Sequence, residues 1–303
     1  MKNSLFTLFF ITLSFISFSQ TAEEFFNLGV GKLEIEDYEG AIIDFNKAIA
    51  LNPKDADSYL YVGISKSGLE DYKGSVLSCD KAILIDPANA VAYFTRSQSK
   101  YELKDLKGSL ADMTKYLSFE PVDADGYFFI GLINDELLDF NAALVAYDKV
   151  VLLKPAYQDV YFNRGLAKQN LKDLKGAIVD YTKASSLAPT SADPIYNRAI
   201  CKYDLLDKQG ALADYTAVIK LSPKDAAPYG NRGIIKYDLL DYAGAILDYT
   251  KAIEFDPENS SYYFNRALCN VELKKIDAAC VDFRKALEMG EPDVQESIDA
   301  HCK

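Results

Sequence analysis

The sequence predicts an all-α protein built as a solenoid of antiparallel helix pairs, and three observations carry that prediction. Prolines stand at Pro53, Pro87, Pro121, Pro155, Pro189, Pro223 and Pro257, each 34 residues after the last. A fixed period of that length marks repeated helix–turn–helix units. Within a unit, helical spacing occurs twice: Tyr229, Arg232, Gly233 and Lys236 share one face, and Ala245, Tyr249, Ala252 and Ile253 recur at i, i+4, i+7 and i+8. Between the two stretches an aspartate recurs at Asp37, Asp71, Asp105, Asp139, Asp173, Asp207 and Asp241. Its carboxylate is placed to accept from the unpaired N–H groups that open the second helix.

The elements follow in order. Residues 1–20, MKNSLFTLFFITLSFISFSQ, combine a cation at Lys2, an apolar run from Leu5 to Phe18 and small residues at Ser17 and Ser19. That is the layout of a secretory signal peptide, with cleavage before Gln20 or Thr21. An uncleaved anchor helix is the alternative, but the run falls short of the ~20 residues needed to span a hydrocarbon core. After cleavage the chain is expected to be exported, periplasmic or secreted, with no stable membrane insertion. Residues 21–293 hold eight units in one solenoid domain, starting at Ala22, Ala56, Ala90, Ala124, Gln158, Ala192, Ala226 and Ser260. Each second helix is expected to stop before its proline. A unit buries its faces only against its neighbours, so the ends need caps. Residues 294–303 supply one: Val294, Ile298 and Cys302 fall on one face of a short helix.

Units with Tyr229, Gly233, Ala245, Tyr249, Ala252 and Pro257 at these offsets closely resemble the tetratricopeptide repeat (TPR). The resemblance implies a right-handed superhelix whose first helices line a concave groove that binds proteins or peptides. Departures are local: Ser97, Ala199 and Ala267 replace the Gly of the first helix, and Cys79 and Met113 replace the second aromatic.

Composition narrows the function. With 49% hydrophobic and 26% charged residues the chain is folded rather than disordered. A formal net charge of −12 disfavours a nucleic-acid partner; loss of Lys2 with the leader makes it one unit more negative. His301 is the only histidine in the sequence, and no nucleophile, base or metal constellation stands out, so neither an enzyme nor a cofactor or metal site is expected.

Comparison of the eight units with one another reveals a candidate salt bridge. Arg96, Arg164, Arg198, Arg232 and Arg266 share a slot, and each has an aspartate sixteen residues later: Asp112, Asp180, Asp214, Asp248 and Asp282. Where Arg gives way to Val62 and Ile130, the acid gives way to Ser78 and Ala146. Pairing with the acid slot of the preceding unit would set Arg96 against Ser78 and Arg164 against Ala146, so pairing within a unit fits better. Two independent solvated charges are the alternative.

One slot before the Arg, Asn163, Asn197, Asn231 and Asn265 recur without a gap, whereas earlier units have Asn27, Tyr61, Thr95 and Phe129. An amide both donates and accepts, so it can pair with any peptide backbone. Similar first-helix asparagines form a backbone-gripping ladder in the superhelix of the protein O-GlcNAc transferases, and the resemblance carries that role to these four. A tolerated polar surface residue is the alternative. Flanking slots hold Phe162, Tyr196, Phe264, Tyr203 and Tyr237, with acids at Asp159, Asp193, Asp204, Asp238 and Glu272. Such a surface favours a protein partner that presents an extended, neutral or basic peptide. Family members that grip a terminal carboxylate place Lys and Arg in these slots, so a carboxylate clamp is disfavoured. Four amides at ~0.5–1.5 kcal/mol per hydrogen bond imply micromolar rather than nanomolar affinity.

None of the five cysteines forms a CxxC pair. Cys79, Cys201 and Cys269 read as buried small hydrophobes. Cys280 and Cys302 lie on faces that must meet and are candidates for a disulfide. The sequence therefore points to a non-catalytic, exported peptide- or protein-binding adaptor, a monomer rather than an oligomer. A structural scaffold that self-associates through its solenoid ends is the alternative.

Overall fold

The computed structural model describes residues 20–292 and 294–302; apart from Gln20, the expected leader lies outside them. Among the described residues all regular structure is helical, and the chain divides into two compact units at Glu120/Pro121. The first holds α1 (Ala22–Glu34), α2 (Tyr38–Leu51), α3 (Ala56–Gly68), α4 (Tyr72–Ile85), α5 (Ala90–Glu102) and α6 (Leu106–Phe119). The second holds α7 (Ala124–Glu136), α8 (Phe140–Leu153), α9 (Gln158–Asn170), α10 (Leu174–Leu187), α11 (Asp193–Asp204) and α12 (Lys208–Leu221). It continues through α13 (Ala226–Asp238), α14 (Tyr242–Phe255), α15 (Ser260–Glu272), α16 (Ile276–Glu288) and α17 (Val294–His301).

Local chemistry sets these boundaries. Each recurrent aspartate caps a second helix: Asp173 Oδ1 accepts from Gly176 N at 3.0 Å and Asp207 Oδ1 from Gly210 N at 2.9 Å. Lys275 stands in this slot before α16 and gives no side-chain cap. First helices end on a residue in the left-handed region, from Glu36 at φ 62° to Lys274 at φ 58°. This lets the next N–H fold back, as Asp173 N does on Lys168 O at 2.9 Å. Second helices stop two residues before their prolines, and the intervening residue leaves the helical region, as Asn52 does at φ −134° and ψ 83°.

Within each unit every helix packs on the next in the chain. The second unit buries one aromatic per second helix: Tyr147, Tyr181, Tyr215, Tyr249 and Phe283. Gly165 shows why the facing slot must be small, since a Cβ there would lie 2.7 Å from the Tyr181 ring. In the first unit the aromatic slot is filled by Phe45, Cys79 and Met113. Around Met113 buried hydroxyls replace apolar contact: Ser97 Oγ donates to Ser109 O at 2.9 Å, and Ser99 Oγ to Ser75 Oγ at 2.8 Å. Pairing is what makes buried hydroxyls tolerable.

The terminal helix α17 buries Val294 completely, with Ile298 and Cys302 packed beside it on Ala267, Ala279, Phe283 and Ala286. A disulfide joins Cys280 and Cys302. The carboxylate of Glu291 accepts from the hydroxyls of Ser260 and Ser261, tying the preceding turn to the start of α15. No described helix is long and apolar enough to cross a membrane.

Candidate functional site

The site begins with what holds the first helices in place. Arg198 Nε and Nη2 donate to Asp214 Oδ2 and Oδ1 at 2.8 and 2.7 Å, and the same two-point contact recurs in Arg96–Asp112, Arg164–Asp180, Arg232–Asp248 and Arg266–Asp282. The aspartates are almost fully buried, and the arginines keep under a fifth of their surface exposed or about that. A lysine one turn after the Arg joins the same carboxylate: Lys100, Lys168, Lys202 and Lys236, at 2.7–2.8 Å. In the first repeat, where Leu28 replaces Arg, Lys32 holds Asp44 at 2.6 Å.

The pairing within a unit is the one seen, and each arginine also reaches the preceding repeat, at a slot two residues beyond the one occupied by Ser78 and Ala146. Arg96 Nη1 donates to Asp80 and Arg164 Nη1 to Asp148, while Arg198, Arg232 and Arg266 reach Thr182, Thr216 and Thr250. The guanidinium is a fork with donors on two edges, so each Arg staples three helices together.

Asn163, Asn197, Asn231 and Asn265 all lie half-buried on first helices α9, α11, α13 and α15, each beside a staple arginine. Two amides turn back on their own helix: Asn163 Nδ2 donates to Asp159 O at 2.9 Å and Asn197 Nδ2 to Asp193 O at 3.0 Å. Asn231 Nδ2 donates to the Tyr196 hydroxyl at 2.8 Å. Each such bond uses one amide hydrogen and leaves the carbonyl oxygen, with its two lone pairs, outside that bond.

The aromatic candidates divide into two groups. Phe162, Tyr196 and Phe264 pack on the rings of Tyr181, Tyr215 and Phe283 at centroid distances of 5.5–5.9 Å, forming a floor rather than open rings. Tyr203 and Tyr237 lie nearer the ends of their helices. Tyr203 donates its hydroxyl to Asp238 Oδ2 at 2.8 Å, and Lys208 reaches the same oxygen at 3.1 Å. Burial, then the Asp238 carboxylate, pushes the Tyr203 phenol up to about 12. Tyr237 stands edge-on to Tyr242 at 5.2 Å. Asp159, Asp193, Asp204 and Glu272 are exposed.

Two features of this surface were not read from the sequence. The aromatic floor is interrupted by Gly230, and the Tyr262 ring of the next repeat fills the gap, 2.5 Å from where a Cβ would stand. The signal was present, since Tyr262 falls where other repeats have Ala92, Gly126 or Val160. In the first unit the first-helix surface carries a hollow free of charged residues, lined by Tyr38, Ile64, Val91, Phe94, Thr95 and Gln98.

Cys79, Cys201 and Cys269 are free thiols buried in the core, where burial pushes them up to about 12, 11 and 12. Among the described residues no group of His, Cys, Asp or Glu is arranged to hold a metal ion.

Models of the tetratricopeptide repeat match residues 25–55, 158–191 and 248–281. No curated protein matches the chain at a significant level. Among solved structures, the C-terminal part of a TPR repeat-containing protein from Cytophaga hutchinsonii is similar, with a TM-score of 0.72 at 15% identity over 79% of this chain and 98% of that one. A tetratricopeptide repeat protein from Parabacteroides merdae gives 0.58 at 19% identity over 82% and 99%. YrrB, described as a TPR protein with an unusual peptide-binding site, gives 0.55 at 22% identity over 59% and 92%. At such identities the likeness is one of fold. Taken with the 34-residue lattice, the capped helix pairs and the three matched segments, it makes this chain a member of the tetratricopeptide-repeat family.

Proposed function

We propose that the first-helix surface of the second unit binds an extended, neutral or basic peptide segment of a protein partner, and that the chain is a non-catalytic adaptor. One observation carries the reading. All seven cations of α9, α11, α13 and α15 are engaged by aspartates of the second helices, so those helices offer no unpaired cation beside the row of four asparagines, whereas Asp159, Asp193, Asp204 and Glu272 stay exposed. Amides suit a peptide backbone, and the acids select against anionic segments. YrrB, of the same fold, has a peptide-binding site by its description, which supports the class of ligand. The Cys280–Cys302 bond supports an oxidising compartment and hence export directed by residues 1–20.

Selection of peptides from a random display library on the full chain tests the proposal. Enrichment of neutral-to-basic, apolar-containing peptides is the expected outcome; enrichment of acidic peptides, or none, refutes it.

A further inference from the structure

The staples do more than join helices, because they sort the charge of the second unit onto two surfaces. On the first helices they consume every cation, leaving acids: Asp159, Asp193, Asp204 and Glu272 are exposed and Asp238 is shared with Lys208. On α8, α10 and α12 they consume the acids instead. Asp148 and Asp180 are held by Arg164, and Asp214 by Arg198. The charges left on those three helices, apart from Lys208, are Lys149, Lys175, Lys183 and Lys220, all exposed and none paired with an acid.

The second-helix surface is also apolar in a regular way. Val145, Val179, Leu247 and Val281 share one slot and are 65–69% exposed, and Ala213 fills that slot in α12. The slot four residues on, one helical turn away, holds Lys149, Lys183, Lys251 and Lys285, with Ala217 in α12; of these Lys251 is paired with Glu254 at 2.6 Å. Rows of aliphatic and cationic side chains left in water fit an acidic, partly apolar surface.

The first-helix surface of the same unit has that chemistry, its acids interleaved with Tyr203 and Tyr237. Both rows also recur on the same 34-residue period, Asp204, Asp238 and Glu272 on one surface and Lys149 and Lys183 on the other, so a second copy offers several complementary charges at once, which an unrelated acidic partner has no reason to do. We infer that the second-helix surface around α8, α10 and α12 docks on the acid-lined first-helix surface of a second copy of this chain. The two patches differ, so the association is head-to-tail and open-ended. An anionic bilayer fits less well: the chain as a whole carries −12, and Val145, Val179 and Ala213 are poor substitutes for the large side chains that anchor proteins in an interface. The inference rests on the reading of the first-helix surface as an acceptor for basic and apolar groups.

Sedimentation velocity of the full chain over a concentration series tests it, with two charge-reversed variants. Lys149→Glu/Lys183→Glu cancels the cationic excess of the second-helix surface, and Asp204→Lys/Glu272→Lys cancels the acidic excess of the first-helix surface, while each leaves the other surface as it is. The wild type should sediment faster as concentration rises, and less so in high salt. Each variant alone should remain monomeric, and their mixture should associate again. A wild type that stays monomeric throughout, or an inert mixture, overturns the inference; so does flotation of the monomer with phosphatidylglycerol vesicles that the lysine variant abolishes, which would give the surface to lipid. The lysine variant leaves the asparagine row untouched, so its affinity for a library-selected peptide reports on the groove separately. Retained peptide binding with no self-association would sink this inference alone.

Discussion

Arg198 grips Asp214 of its own repeat through Nε and Nη2 while its Nη1 donates to Thr182 of the repeat before. One side chain thereby fixes both the pairing of two helices within a repeat and the stacking of that repeat on its neighbour. Asp214 is buried and held additionally by Lys202 at 2.7 Å.

Arg198→Leu therefore leaves a buried carboxylate short of its main partner and should cost about 3–5 kcal/mol in urea unfolding. Adding Asp214→Leu removes the stranded charge and should recover part of that loss. Additive losses in the double-mutant cycle would show that the two side chains do not interact.

The cap gives a second test. The loop closed between Cys280 and Cys302, 22 residues apart, is worth about 3 kcal/mol of chain entropy, so Cys302→Ser should lower stability by that order and free α17 first. Hydrogen exchange concentrated in residues 294–302 is the expected signature. On intact mass analysis the native chain should be lighter than the reduced one by two hydrogens; equal masses would contradict the bond.

Buried thiols predict a pH effect. Cys79, Cys201 and Cys269 hold their protons in the fold up to about 11–12, whereas in the unfolded chain thiols titrate near ~8.5. With folded values raised, the stability contributed is complete below ~8.5 and is lost as pH rises through that value toward the folded ones. Maleimide at mildly alkaline pH should leave these thiols intact in the native chain and label them in urea. Fast native labelling would contradict their burial.

Leu206 offers a stabilising change. It sits at φ 64° with 80% of its surface exposed, so its side chain gains little from burial while straining the backbone. Leu206→Gly should relieve ~1–2 kcal/mol of left-handed strain against ~0.5–1 kcal/mol of added chain entropy, a net gain of up to about 1.5 kcal/mol. A lower urea midpoint in the variant would show that Leu206 makes a packing contribution.

Much of the fold was legible because the chain is its own alignment. Seven prolines, seven capping aspartates and five Arg–Asp pairs each recur on one lattice, so a coincidence in one repeat is a pattern in eight. What escaped lay off that lattice or changed identity along it. The second reach of the arginines was missed because the partner is Asp80 or Asp148 in two repeats and a threonine in three, two residues beyond the slot tested. Tyr262 filling the place of a ring at Gly230 is a contact between different slots of adjacent repeats, which a comparison slot by slot cannot reveal. The inward turn of the Asn163 and Asn197 amides is a matter of rotamer, and sequence carries no rotamers.

The asparagine row is the centre of the account, and titration calorimetry of a library-selected peptide into the Asn197→Ala/Asn231→Ala variant tests it most directly. Repeats contact only their neighbours and both side chains are half-buried, so the variant should stay folded by circular dichroism. Loss of two amide grips on peptide backbone predicts a weakening of about 1–3 kcal/mol, roughly five- to 150-fold in Kd. A folded variant that binds with wild-type affinity would contradict the row's role and remove the peptide from this surface.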